Sequence, residues 1–267
     1  MPELPEVELY GRYFARHALQ QRIAKVRVLD ERILGAVRKD AFARMLRGHT
    51  FTRVRRHGKH LFADAGGVWL HLHFGMTGDL SYSRSRRPGG RPGGVSPPRF
   101  ARVLFDFENG ASLAFEDMRL FGVVDTIPDP DTFIQHHALG PDPLSLRLND
   151  FRRLLASRRG AVKSTLMSQD VIAGIGNLYA DETLFQSSIA PRRPVDRLSP
   201  SDVATIFTTM RKILLTVIDL KERDRDYPPR YLIHHREEGA RCPRCGGTIG
   251  KSVVFGRTTY ACARHQT

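Results

Sequence analysis

The chain has 267 residues, enough for two domains or one large one with a sizeable core. Lys and Arg number 42 against 28 Asp and Glu, so the formal charge is +14; a mostly arginine excess suits phosphates and points to a polyanionic partner, nucleic acid before an anionic membrane. No apolar run approaches the ~18 residues of a membrane span, and the acidic N-terminus lacks the apolar core of a secretion signal, which argues against membrane insertion and export.

The chain opens Met1-Pro2-Glu3-Leu4-Pro5-Glu6-Val7-Glu8. With Met1 removed, the ring nitrogen of Pro2 becomes a free secondary amine. An α-amino group titrates near pH ~8, roughly two units below lysine, so part of it is uncharged at neutral pH. Attack by such an amine on an aldehyde-like carbon gives a cationic iminium, an electron sink, and the adjacent Glu3 is placed for proton transfer. The same residues also fit a plainer role, in which Pro2 limits proteolysis and Pro5-Glu6 opens a helix.

That helix is predicted over residues 5–19, with Val7, Tyr10, Phe14 and Ala18 on one face. A strand is predicted at 22–29 and a short helix at 40–46, closed by Gly48. Short strands follow at 50–55, 60–64, 68–73, 78–82, 99–107, 111–115 and 121–126, separated by turn residues that include the hairpin signal Asn109-Gly110. Many short strands in succession predict an antiparallel β-sandwich. Residues 84–98, basic and rich in Gly and Pro, read as a loop that either tracks a phosphate backbone or is a tolerated surface insertion. Beyond Pro128-Asp129-Pro130 the pattern turns helical, with helices predicted at 131–137, 148–157, 162–167, 178–187 and 199–220. The last opens on Ser199-Pro200 as N-cap and first helical residue.

All three cysteines lie after residue 240. Cys242-x2-Cys245 is followed, after an intervening sixteen residues, by Cys262-x2-His265. Two ligand pairs, each across a tight turn, suit tetrahedral zinc. Two strands with Gly256-Arg257 at their tip connect the pairs, and so short a segment needs a metal to hold it together. The expected class is therefore α+β, divided into a β-sandwich with flanking helices (1–130), a helical domain (131–223), a polar linker (224–239) and a zinc ribbon (240–267).

PELPEVE at the start, Gly174-Ile175-Gly176-Asn177-Leu178-Tyr179-Ala180-Asp181-Glu182 in the helical half, and the terminal ribbon occur in this order along essentially the whole chain. Together they resemble the formamidopyrimidine-DNA glycosylase / endonuclease VIII family. The resemblance implies a bifunctional DNA glycosylase and AP lyase of base excision repair, monomeric, in a bacterial cytoplasm or nucleoid, with one structural zinc and damaged double-stranded DNA as partner. Pro2 would attack the sugar C1′, Glu3 would move protons, and the Schiff base would permit β- and δ-elimination. Lys59 matches a family lysine that holds the phosphate beside the lesion, and Glu6 a second carboxylate near the site. Asn177 matches the asparagine of the helix–two-turns–helix that contacts the DNA backbone, and Arg257 the ribbon arginine that grips phosphates.

Extrusion of a base leaves a gap that side chains must fill. The resemblance assigns this to Met76, Arg119 and Phe121, a trio that, with PELPE, points to the purine-lesion branch. Lys163 matches a family lysine at the edge of the site. Two departures stand out. His265 replaces the usual fourth cysteine, and residues 221–241 lack the familiar text of the lesion-capping loop, which leaves lesion choice open. Two alternatives remain: an endonuclease VIII-like preference for oxidised pyrimidines, and a non-catalytic lesion-binding protein on the same scaffold.

Overall fold

A computed structural model describes residues 1–84 and 96–267; most of the expected basic loop, residues 85–95, lies outside the described residues. The chain forms two compact units. One comprises Met1–Pro2 and Glu6–His137, the other Glu3–Pro5 and Ala138–Thr267.

The first unit carries most of α1 (Leu4–Ala18), then β1 (Ile23–Val28), α2 (Lys39–Leu46), β2 (Arg53–His57), β3 (His60–Asp64), β4 (Trp69–His73), β5 (Gly78–Arg84), β6 (Ala101–Phe107), β7 (Ala111–Asp117), β8 (Val123–Ile127) and α3 (Pro130–His136). Two antiparallel sheets, ordered β1-β6-β7-β5 and β2-β3-β4-β8, share one apolar core. Val7, Phe14 and Ala18 of α1 are buried in it, as the helical spacing predicts. Phe51 meets both Phe14 and Phe105 edge-on, at 5.0 and 5.9 Å between centroids. Gly110, at φ +80°, turns β6 into β7, while Asn109 Oδ1 accepts from the Ala111 N–H.

The strand predicted at 50–55 begins later, at Arg53, and extends to His57. The register decides this: His57 pairs with His60 across the two-residue turn Gly58-Lys59, and Thr50 makes only an isolated bridge to Arg22.

The other face of the β3–β4 pair has a small cluster of its own. Phe62, Trp69 and Ile127 pack with Phe133 of α3. His71 joins them 4.4 Å from the Phe133 ring, and His60 Nδ1 lies 2.9 Å from His71 Nε2. One imidazole donates and the other accepts, so the accepting ring is neutral. Burial first, and neighbouring imidazoles second, push His60 down to about 2 and His71 down to about 3. This packing keeps α3 with the sandwich, so the unit runs to His137, past the boundary expected at 130.

The second unit contains α4 (Leu148–Ala156), α5 (Val162–Met167), α6 (Asn177–Gln186), α7 (Pro200–Glu222) and the hairpin of β9 (Gly250–Val254) and β10 (Arg257–Ala261). A capping box starts α7: the Ser199 hydroxyl accepts from the Asp202 N–H, and the Asp202 carboxylate accepts from the Ser199 N–H. The polar stretch 224–239, expected as a linker, is tied down in its second half. Leu232, in a 3-10 turn at Leu232–His235, is fully buried, and the N–H groups of Leu232 and Ile233 donate to Glu182 of α6. Among the described residues, no helix is long and apolar enough to cross a membrane.

Candidate active site

The GIGN stretch forms a turn that delivers α6, and one half-buried side chain holds its shape. Gln169 Nε2 donates to the carbonyls of Met167 and Ile175 at 2.8 and 2.7 Å, and its Oε1 accepts from the Gly174 N–H. Gly174 itself sits at φ +107°, a conformation only glycine adopts without strain. No side chain of the helix caps the N-terminus of α6. Glu3 fills that role: its carboxylate accepts from the N–H groups of Gly176, Leu178 and Tyr179 at 2.7, 2.9 and 3.3 Å. A carboxylate offers only acceptors, and a helix N-terminus offers unpaired donors and a positive dipole end. Glu3 is 2 % exposed, and a Cβ on Gly176 would stand 2.3 Å from its Cδ. Gly176, at an ordinary extended φ of -122°, is thus required by the space the carboxylate occupies and not by the turn.

Lys163, expected at the edge of the site and as a DNA-binding residue, lies inside the fold. It is fully buried, its ammonium 2.7 Å from Asp181 Oδ1 and bonded to the Thr258 carbonyl and the Thr259 hydroxyl. Arg236 holds the other oxygen of Asp181 at 2.7 Å. Burial pushes the Lys163 ammonium down and the Asp181 carboxyl up, and each opposes the shift of the other. Asn177 also donates to the Thr258 carbonyl, at 3.0 Å. Two side chains, from α5 and α6, therefore converge on the backbone next to Arg257, which is itself exposed at the start of β10.

In the ribbon, ligand atoms of Cys242, Cys245 and Cys262 lie within 4.8 Å of one another. A Cβ on Gly247 would stand 3.3 Å from the sulfurs of both Cys245 and Cys262, so glycine leaves the room the thiols need. The Gly247 N–H, 3.4 Å from Cys245 Sγ, is the leading cause that holds this thiol below its ordinary pKa. The donor set fits a thiophilic metal. His265, expected as the fourth member, is not in that group: its Nε2 lies 2.8 Å from the Phe185 carbonyl, with the ring edge-on to Phe185.

The trio expected to fill the gap in DNA comes together on the first unit. Met76 and Phe121 are 41 % and 52 % exposed, and the Arg119 guanidinium lies 4.7 Å over the Phe121 ring. Their loops approach closely enough that a Cβ on Gly75 would fall 2.3 Å from the Phe121 carbonyl carbon. Buried Asp117 organises both loops, accepting from the Thr77 hydroxyl and from the N–H groups of Arg119 and Gly122. Lys59 is half-buried in the β2–β3 turn, where its charge adds to burial in lowering the pKa of His73. Pro2 is half-buried and one peptide bond from Glu3.

The formamidopyrimidine-DNA glycosylase N-terminal domain matches residues 1–124, and the H2TH domain of the same enzymes matches residues 139–226. The chain belongs to the formamidopyrimidine-DNA glycosylase family. It is 34 % identical over 278 residues to the Geobacter metallireducens formamidopyrimidine-DNA glycosylase and 35 % identical over 280 residues to that of Xanthomonas campestris pv. campestris, covering 100 % of both chains in each case. Among solved structures it resembles Lactococcus lactis formamidopyrimidine-DNA glycosylase bound non-covalently to DNA containing an AP site, with a TM-score of 0.85, 25 % identity and 99 % of each chain covered.

Within this family fold, several supporting residues escape a reading of the sequence. Asp117, Glu182, Asp181 and Arg236 read as ordinary polar residues because partners of each lie 40 or more residues away in the chain, while Gln169 bonds close by, to backbone groups of the GIGN turn that carry no side-chain signal. The run Asp181-Glu182 lies in a helix whose residues from Tyr179 to Phe185 are all buried, so the two carboxylates sit inside the fold.

Proposed function

We propose that this protein is a bifunctional DNA glycosylase and AP lyase of base excision repair. With Met1 removed, the Pro2 nitrogen attacks C1′ of the damaged nucleotide. The bond to the base breaks, and the sugar opens to a Schiff base on Pro2. Glu3 moves the protons, first to the ring oxygen and then during elimination. Loss of the 3′ and then the 5′ phosphate cuts the strand on both sides of the lesion. Lys59, Asn177 and Arg257 bind phosphates, while Met76, Arg119 and Phe121 occupy the gap left by the extruded base. The relatives named above are formamidopyrimidine-DNA glycosylases, and the structural neighbour holds abasic DNA, which is the substrate of the lyase step. The exposed wedge trio supports oxidised or ring-opened purines as the bases removed.

The observation that carries this reading is the fixing of Glu3 by three backbone N–H groups of the GIGN turn. It ties the two most telling motifs into one arrangement and sets a carboxylate immediately beside Pro2. Borohydride reduction with an abasic-site oligonucleotide tests it. A covalent protein–DNA adduct is expected from the native protein and none from Pro2→Gly. An adduct persisting in that variant would reject the nucleophile. Glu3→Gln is expected to keep duplex binding and lose base excision.

For the metal, Cys242, Cys245 and Cys262 would hold Zn2+, whose contribution is structural. A His265 Nε2–H donating to the Phe185 carbonyl leaves Nδ1 as the ring's free lone pair, the pattern of a ligating histidine. His265 Nδ1 is therefore the proposed fourth ligand. One zinc per chain in native protein, retained more weakly in His265→Ala, is the expected result.

A further inference from the structure

The β9–β10 hairpin turns through Phe255 and Gly256, with Val254 directly opposite Arg257. Both turn residues have positive φ, +48° and +68°. Two such residues are the signature of a type I′ turn, for which Asn-Gly, Asp-Gly and Gly-Gly are the favoured pairs. Gly256 obeys that chemistry and Phe255 violates it, since a bulky side chain at φ > 0 crowds its own backbone. Phe255 is also 80 % exposed, the most exposed large hydrophobic residue among those described, and Val253 on the same strand is 59 % exposed.

Neither property serves the fold. The ribbon buries Val254 and Ile249 instead, and a polar turn residue would remove both the strain and the exposed apolar surface. Strain that the fold does not need concentrates at functional sites.

We propose that Phe255, backed by Val253, is a DNA-contacting tip, its ring lying against the deoxyribose and base faces next to the phosphates held by Arg257. This rests on the reading that the chain binds duplex DNA through its ribbon. The tip stands on a fixed base, because the Thr258 carbonyl, just past Arg257, is held by both Lys163 and Asn177. The Val253 carbonyl on the other strand accepts from the Arg192 guanidinium. Cations therefore flank the apolar tip, with Lys251 and Arg257 exposed on the same hairpin. An apolar protein surface would not favour that surround, whereas a nucleotide offers a phosphate and an apolar sugar or base face side by side. Apolar side chains wedge into minor grooves and aromatic rings stack on bases in many DNA-binding proteins.

The test is Phe255→Asn, a change that suits the turn. Thermal stability and zinc content are expected to hold or rise, while affinity for a duplex carrying an abasic-site analogue falls roughly five- to tenfold. The salt slope of binding is expected to stay the same, because no phosphate contact is lost; Arg257→Ala should lower that slope by about one. Phe255→Gly, equally compatible with the turn, should match the Asn variant, and Phe255→Trp should bind as the native protein does. Native affinity in both turn-compatible variants would overturn the proposal and leave the glycosylase assignment standing. A loss of affinity accompanied by loss of zinc would also overturn it, by making the residue structural. Failure of the native protein to bind the duplex at all would instead reject the reading beneath it.

Discussion

The sandwich and the ribbon are both antiparallel β-structure, yet different forces hold them. The sandwich packs Phe14, Phe51, Phe105 and Phe115, all fully buried, between two four-stranded sheets. The ribbon is a two-stranded hairpin whose β9 is exposed from Gly250 to Val253. A lone hairpin is at best marginally stable in water. What holds it is a thiol cluster, a small apolar cluster in which Ile249 packs with Phe185 and Leu232, and polar side chains reaching from α5 and α6. A region with a large apolar core tolerates the loss of any one polar bond; a region with a small one depends more on each.

The largest expected effect breaks the ribbon alone. Structural zinc sites contribute on the order of 10 kcal/mol to small domains that fold around them. Chelation, or Cys262→Ser, should therefore remove amide exchange protection from β9 and β10 while β3, β4, β6 and β7 keep theirs. Unchanged protection in β9 and β10 would mean that the polar anchors suffice without metal.

Next come the anchors. Removing one partner of a buried ion pair costs about 3–5 kcal/mol, because the other charge is left stranded. The two halves of this pair are unequal. Lys163→Met leaves Asp181 still held by Arg236, whereas Asp181→Asn strands a fully buried ammonium. Asp181→Asn should lower the unfolding temperature more, and Asp181→Leu combined with Lys163→Met should recover part of the loss. Equal effects of the two single changes would show that Arg236 contributes nothing.

The same contrast explains what the sequence could convey. Local signals were legible: the spacing of Val7, Phe14 and Ala18, the Asn109-Gly110 turn, the Ser199-Pro200 start of α7, and the clustering of the three cysteines all appear as read, whereas His265 stands outside that cluster. Those signals act over a few residues. The anchors act across long stretches of chain, Lys163 on Thr258 and Glu182 on Leu232, and nothing in a local pattern announces them. The polar stretch 224–239 reads as a linker for the same reason: its backbone N–H groups, not its side chains, are what Glu182 captures. Phe255 is the converse case, since its residue type is plain in the sequence but its strain and exposure exist only in the folded turn.

The smallest effect concerns the sandwich's own polar spot, the His60–His71 pair. Their folded pKa values, about 2 and about 3, lie below the ~6.5 of an unfolded histidine. Above pH ~6.5 neither state binds the protons and the pair contributes nothing to pH dependence. As pH falls through ~6.5 toward 3, the unfolded chain takes up protons that the folded sandwich refuses, so stability declines. Between pH 7 and pH 6 the loss amounts to only about 1 kcal/mol for the two together. Acid also displaces metal from thiolates, so a global melting curve would mix the two regions. Amide exchange in β3 and β4 isolates the sandwich: the double change His60→Phe and His71→Phe should flatten its pH dependence while leaving that of β9 and β10 as it was. A slope in β3 and β4 unaltered by the double change would place the acid sensitivity of the sandwich elsewhere and remove the imidazole pair from the account.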